Sequence, residues 1–266
     1  MKKLFLHCIF IGFNFFVLSF EARSSNLGQQ SMSESERLFN ERQRKSIVSL
    51  MPVETMFPNE HVRSLAKAAG RGNVNLIDQI VSEGIDVNSL GSGNSTPLYW
   101  AMKKNSLIGF RKLLELGANP NAIFSDGGAI MHSAAKNEDE RFLALALRSG
   151  GDPNLIADGL GESVLFQTIG IFGEIGKTSI IDMLLDAGAD VNMRRANGDT
   201  PVIVAAKTGR FDIVYRLLQG KADPNIKSFD GQNLTTITIK MKGMLDPEHE
   251  LYDWLNKVEK QFLVGG

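Results

Sequence analysis

Cysteine is almost missing from this 266-residue chain, its one copy, Cys8, lying in a hydrophobic stretch near the start. That excludes internal disulfides, and it excludes a thiol nucleophile anywhere after residue 8. Histidine is nearly as scarce: beyond residue 7 only His61, His132 and His249 occur. No His-x-x-x-His or Gly-x-Ser-x-Gly pattern is present, and the acidic residues nowhere take the spacing of a calcium loop. Metal centres and nucleophilic catalysis therefore have little to stand on, so the chain reads as non-enzymatic, with no cofactor. An excess of basic residues, the footprint of nucleic-acid binding, is also lacking, since 29 basic residues face 30 acidic ones.

Only one long apolar run exists, Leu4 to Phe20, with His7, Asn14 and Ser19 as its polar members. Lys2 and Lys3 precede it, and Ala22 and Ser24 place small residues at the −3 and −1 positions of a cut before Ser25. This pattern predicts a secretory signal peptide over 1–24. The competing reading is an uncleaved membrane anchor, but a span needs about 20 apolar residues and the sequence that follows is polar. His7 stands before Cys8 where a lipid-attachment site would need a small residue. Without Lys2, Lys3, Arg23 and Glu21 the counts become 26 basic and 29 acidic, a net charge of −3. The expectation is an exported protein, periplasmic or secreted, with no membrane span after cleavage.

What the chain does have is a period. One phrase recurs five times, ending in Asn88, Asn121, Asn154, Asn192 and Asn225, at intervals of 33, 33, 38 and 33 residues. Leu113-Leu114-Glu115-Leu116-Gly117-Ala118-Asn119-Pro120-Asn121 is a clear copy. So long a fixed period marks a solenoid, in which each unit buries its apolar face only against its neighbours. Within each unit a polar turn leads to Thr96-Pro97-Leu98 or its counterparts Ala129-Ile130-Met131, Ser163-Val164-Leu165 and Thr200-Pro201-Val202. Threonine can cap a helix, and proline at its first position has no amide to leave unpaired. A short helix with small residues follows (Ala134-Ala135, Ala205-Ala206), then a break, then a second helix with an apolar pair such as Leu184-Leu185. Gly84, Gly117, Gly150 and Gly188 end that helix in the manner of a left-handed cap.

These residues resemble the ankyrin repeat family, matching its Thr-Pro-Leu-His-x-Ala-Ala helix start and Gly-Ala-Asp-Val-Asn finger over about residues 60–240. The resemblance implies an all-α solenoid of antiparallel helix pairs with β-hairpin-like fingers, whose fingers and first helices form a concave groove that binds other proteins. We place a flexible leader with a possible helix at 25–59 and repeats at about 60–90, 91–123, 124–156, 157–194 and 195–227. A partial repeat covers 228–245, and a C-terminal capping helix 246–266. In that helix Leu251, Trp254, Leu255, Val258 and Phe262 share one face, so Trp254 is expected in the core. The family uses its motif histidine, here His132, for a hydrogen bond within the repeat.

Departures from the pattern matter too. Lys221 stands where the other repeats have glycine, and so must take an awkward backbone or shift the turn. The fourth repeat has one extra residue in its finger and four between its helices, where Ile171, Phe172 and Ile175 are expected to form a rim beside the groove. Gly170 to Thr178 ends like a phosphate loop, but its first glycine is out of place and no strand precedes it, so nucleotide binding is set aside.

In ankyrin proteins the slot before the Ala-Ala pair faces the groove. Here it holds Lys67, Trp100, Ser133, Gln167 and Val204. Trp100 is either an exposed binding anchor or packed against a neighbouring element. One slot after the pair stand Lys103, Lys136 and Lys207, with Gly70 and Gly170 in the other two repeats. The three lysines form either a basic ladder for an acidic partner or cations offsetting helix dipoles. Candidate protein-binding residues are therefore Lys67, Trp100, Lys103, Lys136, Gln167, Ile171, Phe172, Ile175, Val204 and Lys207. The chain is similar to small exported bacterial ankyrin proteins, some of which are immunity proteins for secreted toxins. The expectation is a monomer that binds and sequesters one protein partner. The alternatives are a periplasmic accessory factor for a partner enzyme and a secreted effector acting on host proteins.

Overall fold

The computed structural model describes residues 50–156, 162–169, 178–244, 246–248 and 250–263. These lie within one unit, Val48–Gly266. The proposed signal peptide, most of the leader and the enlarged loop of the fourth repeat, with Ile171, Phe172 and Ile175, fall outside the described residues.

Helix starts follow the local chemistry. A short α1 (Val53–Met56) precedes the first pair, α2 (Glu60–Gly70) and α3 (Val74–Ser82). Asn59 caps α2 by accepting from the amides of His61 and Val62 at 3.0 and 3.2 Å. The second pair is α4 (Pro97–Lys103) and α5 (Leu107–Glu115), with Pro97 at the first position and Thr96 accepting from Tyr99 N at 3.2 Å. The third is α6 (Ile130–Ala135) and α7 (Arg141–Arg148), and the fourth α8 (Val164–Ile169) and α9 (Ser179–Asp186). The fifth, α10 (Pro201–Lys207) and α11 (Phe211–Gln219), is followed by α12 (Leu234–Lys242) and α13 (Glu250–Val258). First helices stack on first helices and second on second, so the fold is an all-α solenoid. The core runs its length as a continuous row of Leu65, Leu98, Met131, Leu165 and Val202 on the first helices and Phe110, Phe142 and Ile181 on the second. Among the described residues the only strand-like pairings outside helices are two isolated bridges, Ile123 with Ala129 and Ile156 with Ser163.

The recurring phrase has a physical reading residue by residue. Its glycine takes the left-handed conformation at the helix end (φ +96°, +88°, +86° and +90° at Gly84, Gly117, Gly150 and Gly188), and the next amide reaches back into the last turn, as Ala118 N does to Leu113 O at 2.9 Å. Lys221 adopts that conformation without being glycine, at φ +69°, and Ala222 N still reaches Leu217 O at 3.0 Å. The turn has not shifted; the lysine bears the strain. The Asp or Asn two residues before the final Asn accepts that Asn's amide, at 2.8–2.9 Å in all five copies. The final Asn then clamps the next repeat. Asn121 donates to Gly150 O at 2.9 Å and accepts from Asp152 N at 2.7 Å, and Asn88 and Asn154 do the same one repeat before and after.

Both ends differ from expectation. Residues 51–58, assigned to the flexible leader, are docked: Met56 and Phe57 are fully buried and cover the otherwise open end of the first repeats. At the other end Leu255 and Val258 of α13 are buried, whereas Trp254 is only half-buried, stacked edge-on against Tyr215 (5.6 Å) with Lys257 over its ring. It packs on the rim of the cap.

Candidate protein-binding face

The first helices and the fingers before them line one side of the stack. Between the second and third repeats this side opens into a trough of about 880 Å³ bordered by Tyr99, Met102, Lys103, Ser133, Asn137 and the turn Glu138–Arg141. Its walls carry both signs. Arg141 pairs with Asp139 at 2.7 Å, and Glu140 accepts from Ser179 at 2.5 Å. Burial, with a smaller contribution from Asp126, pushes the Tyr99 phenol above its ordinary range, so the wall it forms is neutral.

Trp100 does not line this trough as an exposed anchor. It is only 5% exposed, packed edge-on against Phe57 at 6.4 Å, with the ammonium groups of Lys103 and Lys104 each 4.9 Å from its ring centre. Burial there explains the glycine at position 70: a Cβ would sit 2.9 Å from the indole Nε1. The docked segment 51–57 supplies the missing packing partner, which the repeat pattern could not reveal because that segment precedes it.

The same segment engages two further candidates. Lys67 pairs with Glu54 at 3.0 Å, and Lys103 donates to Met51 O at 2.6 Å, its pKa pulled down first by burial and then by Lys104. Lys207 is held by Asp199 (2.9 Å) and Asp230 (3.4 Å), which together outweigh the opposing effect of burial and raise its pKa. The three lysines therefore form no continuous free ladder. Two are committed within the chain and Lys136 alone of the three is exposed. Gln167 is half-buried and donates to Glu162 at 2.9 Å, and Val204 is buried.

Glu162, in the finger of the fourth repeat, is a hub. Its carboxylate accepts from Gln167 and pairs with Arg195 at 2.9 Å; the Arg195 guanidinium lies over Phe166, 4.6 Å from its centre. The backbone carbonyl of Glu162 lies 3.1 Å from His132 Nε2, so the motif histidine ties its repeat to the next one. Sequence reading missed this cluster because its members come from three consecutive repeats. Among the described residues no group of three or more His, Cys, Asp or Glu is placed to hold a metal ion, and no helix is long and apolar enough to cross a membrane.

Comparison with known proteins agrees with the geometry. The model for ankyrin repeats, in three copies, matches residues 130–228. Protein PhlB of Serratia liquefaciens is 31% identical over 147 residues, covering 55% of this chain and 63% of PhlB. Putative palmitoyltransferase ZDHHC13 of Danio rerio is 26% identical over 188 residues (70% of this chain, 28% of the relative), and palmitoyltransferase AKR1 of Lachancea kluyveri is 25% identical over 186 (68% and 25%). The chain thus spans less than two thirds of PhlB and about a quarter of either transferase. Asn clamps that join one repeat to the next, glycine-capped second helices and a matching family model over the third to fifth units show that this chain contains ankyrin repeats, and stacks of such repeats bind other proteins.

Proposed function

We propose that this protein binds and sequesters a single protein partner in the periplasm, as an inhibitor or immunity factor. The observation that carries the binding reading is the open trough beside Tyr99, Ser133 and Asn137, a concave, mixed-charge surface on the side formed by the first helices. Concave faces of repeat stacks are extended binding surfaces. Lys136 stands exposed next to it in a slot where its neighbours' charges are already taken. The basic and apolar start of the chain, with Ala22 and Ser24, supports export. Three histidines and no cysteine after residue 8 support a non-catalytic role.

The test is affinity capture of the tagged protein from periplasm, followed by titration of the partner so identified. The expected result is saturable binding at fixed stoichiometry, weakened by Lys136→Glu and by Ser133→Trp, which fills the trough. Retention of the protein in the cytoplasm with residues 1–24 intact would refute export. Absence of any partner enriched over a control would refute sequestration.

A further inference from the structure

The fingers carry a feature that the groove reading leaves unused. Two residues beyond the final Asn of each phrase stand Leu90, Ile123, Ile156, Arg194 and Lys227. Three aliphatic side chains thus lead to two cationic ones, all at one structural position. The aliphatic members are unusually open, at 61%, 44% and 49% exposure, and Arg194 and Lys227 are exposed as well.

Their register is fixed by repeated hydrogen bonds. In four fingers the next residue donates its amide to a carbonyl four residues on: Gly91 to Ser95, Phe124 to Gly128, Arg195 to Asp199 and Ser228 to Gln232, at 2.8–2.9 Å. In the remaining finger Ile156 bridges Ser163, as Ile123 bridges Ala129. Neighbouring fingers pair in matching fashion, Ser125 N to Gly93 O at 3.0 Å and Phe229 N to Asn197 O at 3.1 Å. The five side chains therefore form one row, stepped by the spacing of packed helices, about 8–10 Å.

The cationic end is preorganised. Arg194 donates to Lys227 O at 2.7 Å and lies 5.4 Å from the ring centre of Phe229, which is 76% exposed. That ring rests on Gly198, where a Cβ would come within 2.7 Å of it. A large aromatic held in place yet open to solvent is the residue type that anchors interfaces at small entropic cost.

We propose that this finger edge is a docking strip for an extended segment of a partner protein, apolar at every third residue and acidic at the end that meets Arg194, Phe229 and Lys227. The proposal rests on the protein-binding reading and deepens it by naming the chemistry recognised. The pitch selects the conformation. In a β-strand successive third residues alternate faces, whereas a polyproline II helix has three residues per turn and rises about 3.1 Å per residue, so its third residues recur on one side about 9 Å apart. The row is one side chain wide and flanked by the exposed carboxylates of Asp86, Asp152 and Asp190, which an anionic lipid surface would repel. Arg194 and Lys227 supply the complement for acidic residues.

The probe is a fluorescein-labelled peptide, Leu-Pro-Pro three times followed by Asp-Pro-Pro-Asp, titrated with protein purified from cells expressing the full chain. Saturable binding is expected, at least tenfold tighter than to a peptide with leucine at every second position. Ile123→Asp and Phe229→Ala, surface changes whose folding is checked by circular dichroism, should each weaken it about tenfold. Arg194→Glu with Lys227→Glu should do likewise and regain affinity for the peptide whose aspartates are replaced by lysine. No binding, equal binding of the two peptides, or no recovery on charge exchange overturns the strip. Co-sedimentation with phosphatidylglycerol vesicles that is lost in Ile123→Asp overturns it in favour of lipid. A captured partner whose affinity ignores Ile123→Asp and the charge exchange overturns the strip while leaving the sequestration reading intact.

Discussion

Removing the side chain of Asn121 isolates what the repeat phrase contributes to stability. Its side-chain amide donates to Gly150 O at 2.9 Å and accepts from Asp152 N at 2.7 Å, so Asn121→Ala deletes two hydrogen bonds between the second and third repeats. The bond from Asn121 N to Asn119 survives, being a backbone donor. Each intramolecular hydrogen bond contributes about 0.5–1.5 kcal/mol net. Water can reach this turn, which places the expected loss in the lower half of the sum, about 1–2 kcal/mol. For a domain of this size each kcal/mol moves the melting midpoint by roughly 2–4 °C. The loss should be local, because repeat stacks are stabilised by nearest-neighbour interfaces. Urea denaturation followed by circular dichroism gives the total, and hydrogen exchange at the Asp152 amide shows where it falls. Asn225→Ala is the control: among the described residues its side chain makes no such clamp, so its cost should be a few tenths of a kcal/mol. An unchanged midpoint for Asn121→Ala, or an equal loss in both variants, would refute the clamp as the reason for the Asn.

Lys221→Gly should stabilise the protein by about 0.5–1 kcal/mol, relieving a left-handed lysine at some cost in chain entropy; a lower denaturation midpoint would contradict this. Trp100→Ala should cost roughly 3–5 kcal/mol, the range for emptying a buried aromatic site, and Phe57→Ala a similar amount. A thermal scan showing Trp100→Ala near wild type would return the indole to the surface. The hydrogen bond from Lys67, aided by the Glu54 backbone, holds the Glu54 carboxyl below its ordinary value of 4.5. A depressed folded-state pKa stabilises fully above the unfolded value and less as pH falls through the folded one. The stability difference between wild type and Glu54→Gln should thus be constant above about pH 4.5 and vanish on further acidification. Denaturation curves at pH 7 and pH 3 check this, and a difference that grows in acid would reverse the sign.

Local chemistry determined the repeat from the sequence alone. Glycine at a left-handed helix end, Pro97 and Pro201 at first helical positions, Thr96 as cap and the 33-residue period are each satisfied within a few residues of themselves, so they can be read without a structure. The awkward backbone of Lys221 was legible for the same reason. What faces what was decided only by tertiary contact. Trp100 occupies a groove slot by register yet is buried, because residues 51–57, which obey no repeat, fold over it. Lys103 and Lys207 share a slot with Lys136 but find oxygen partners, Lys103 at Met51 far back along the chain and Lys207 at Asp199 in its own finger and Asp230 in the next. Glu162 becomes a hub only when Arg195 arrives from the following repeat. A period tells which positions are equivalent; whether an equivalent position is open or occupied depends on its nearest neighbours in space, and at the ends and insertions of a stack those neighbours are not repeats.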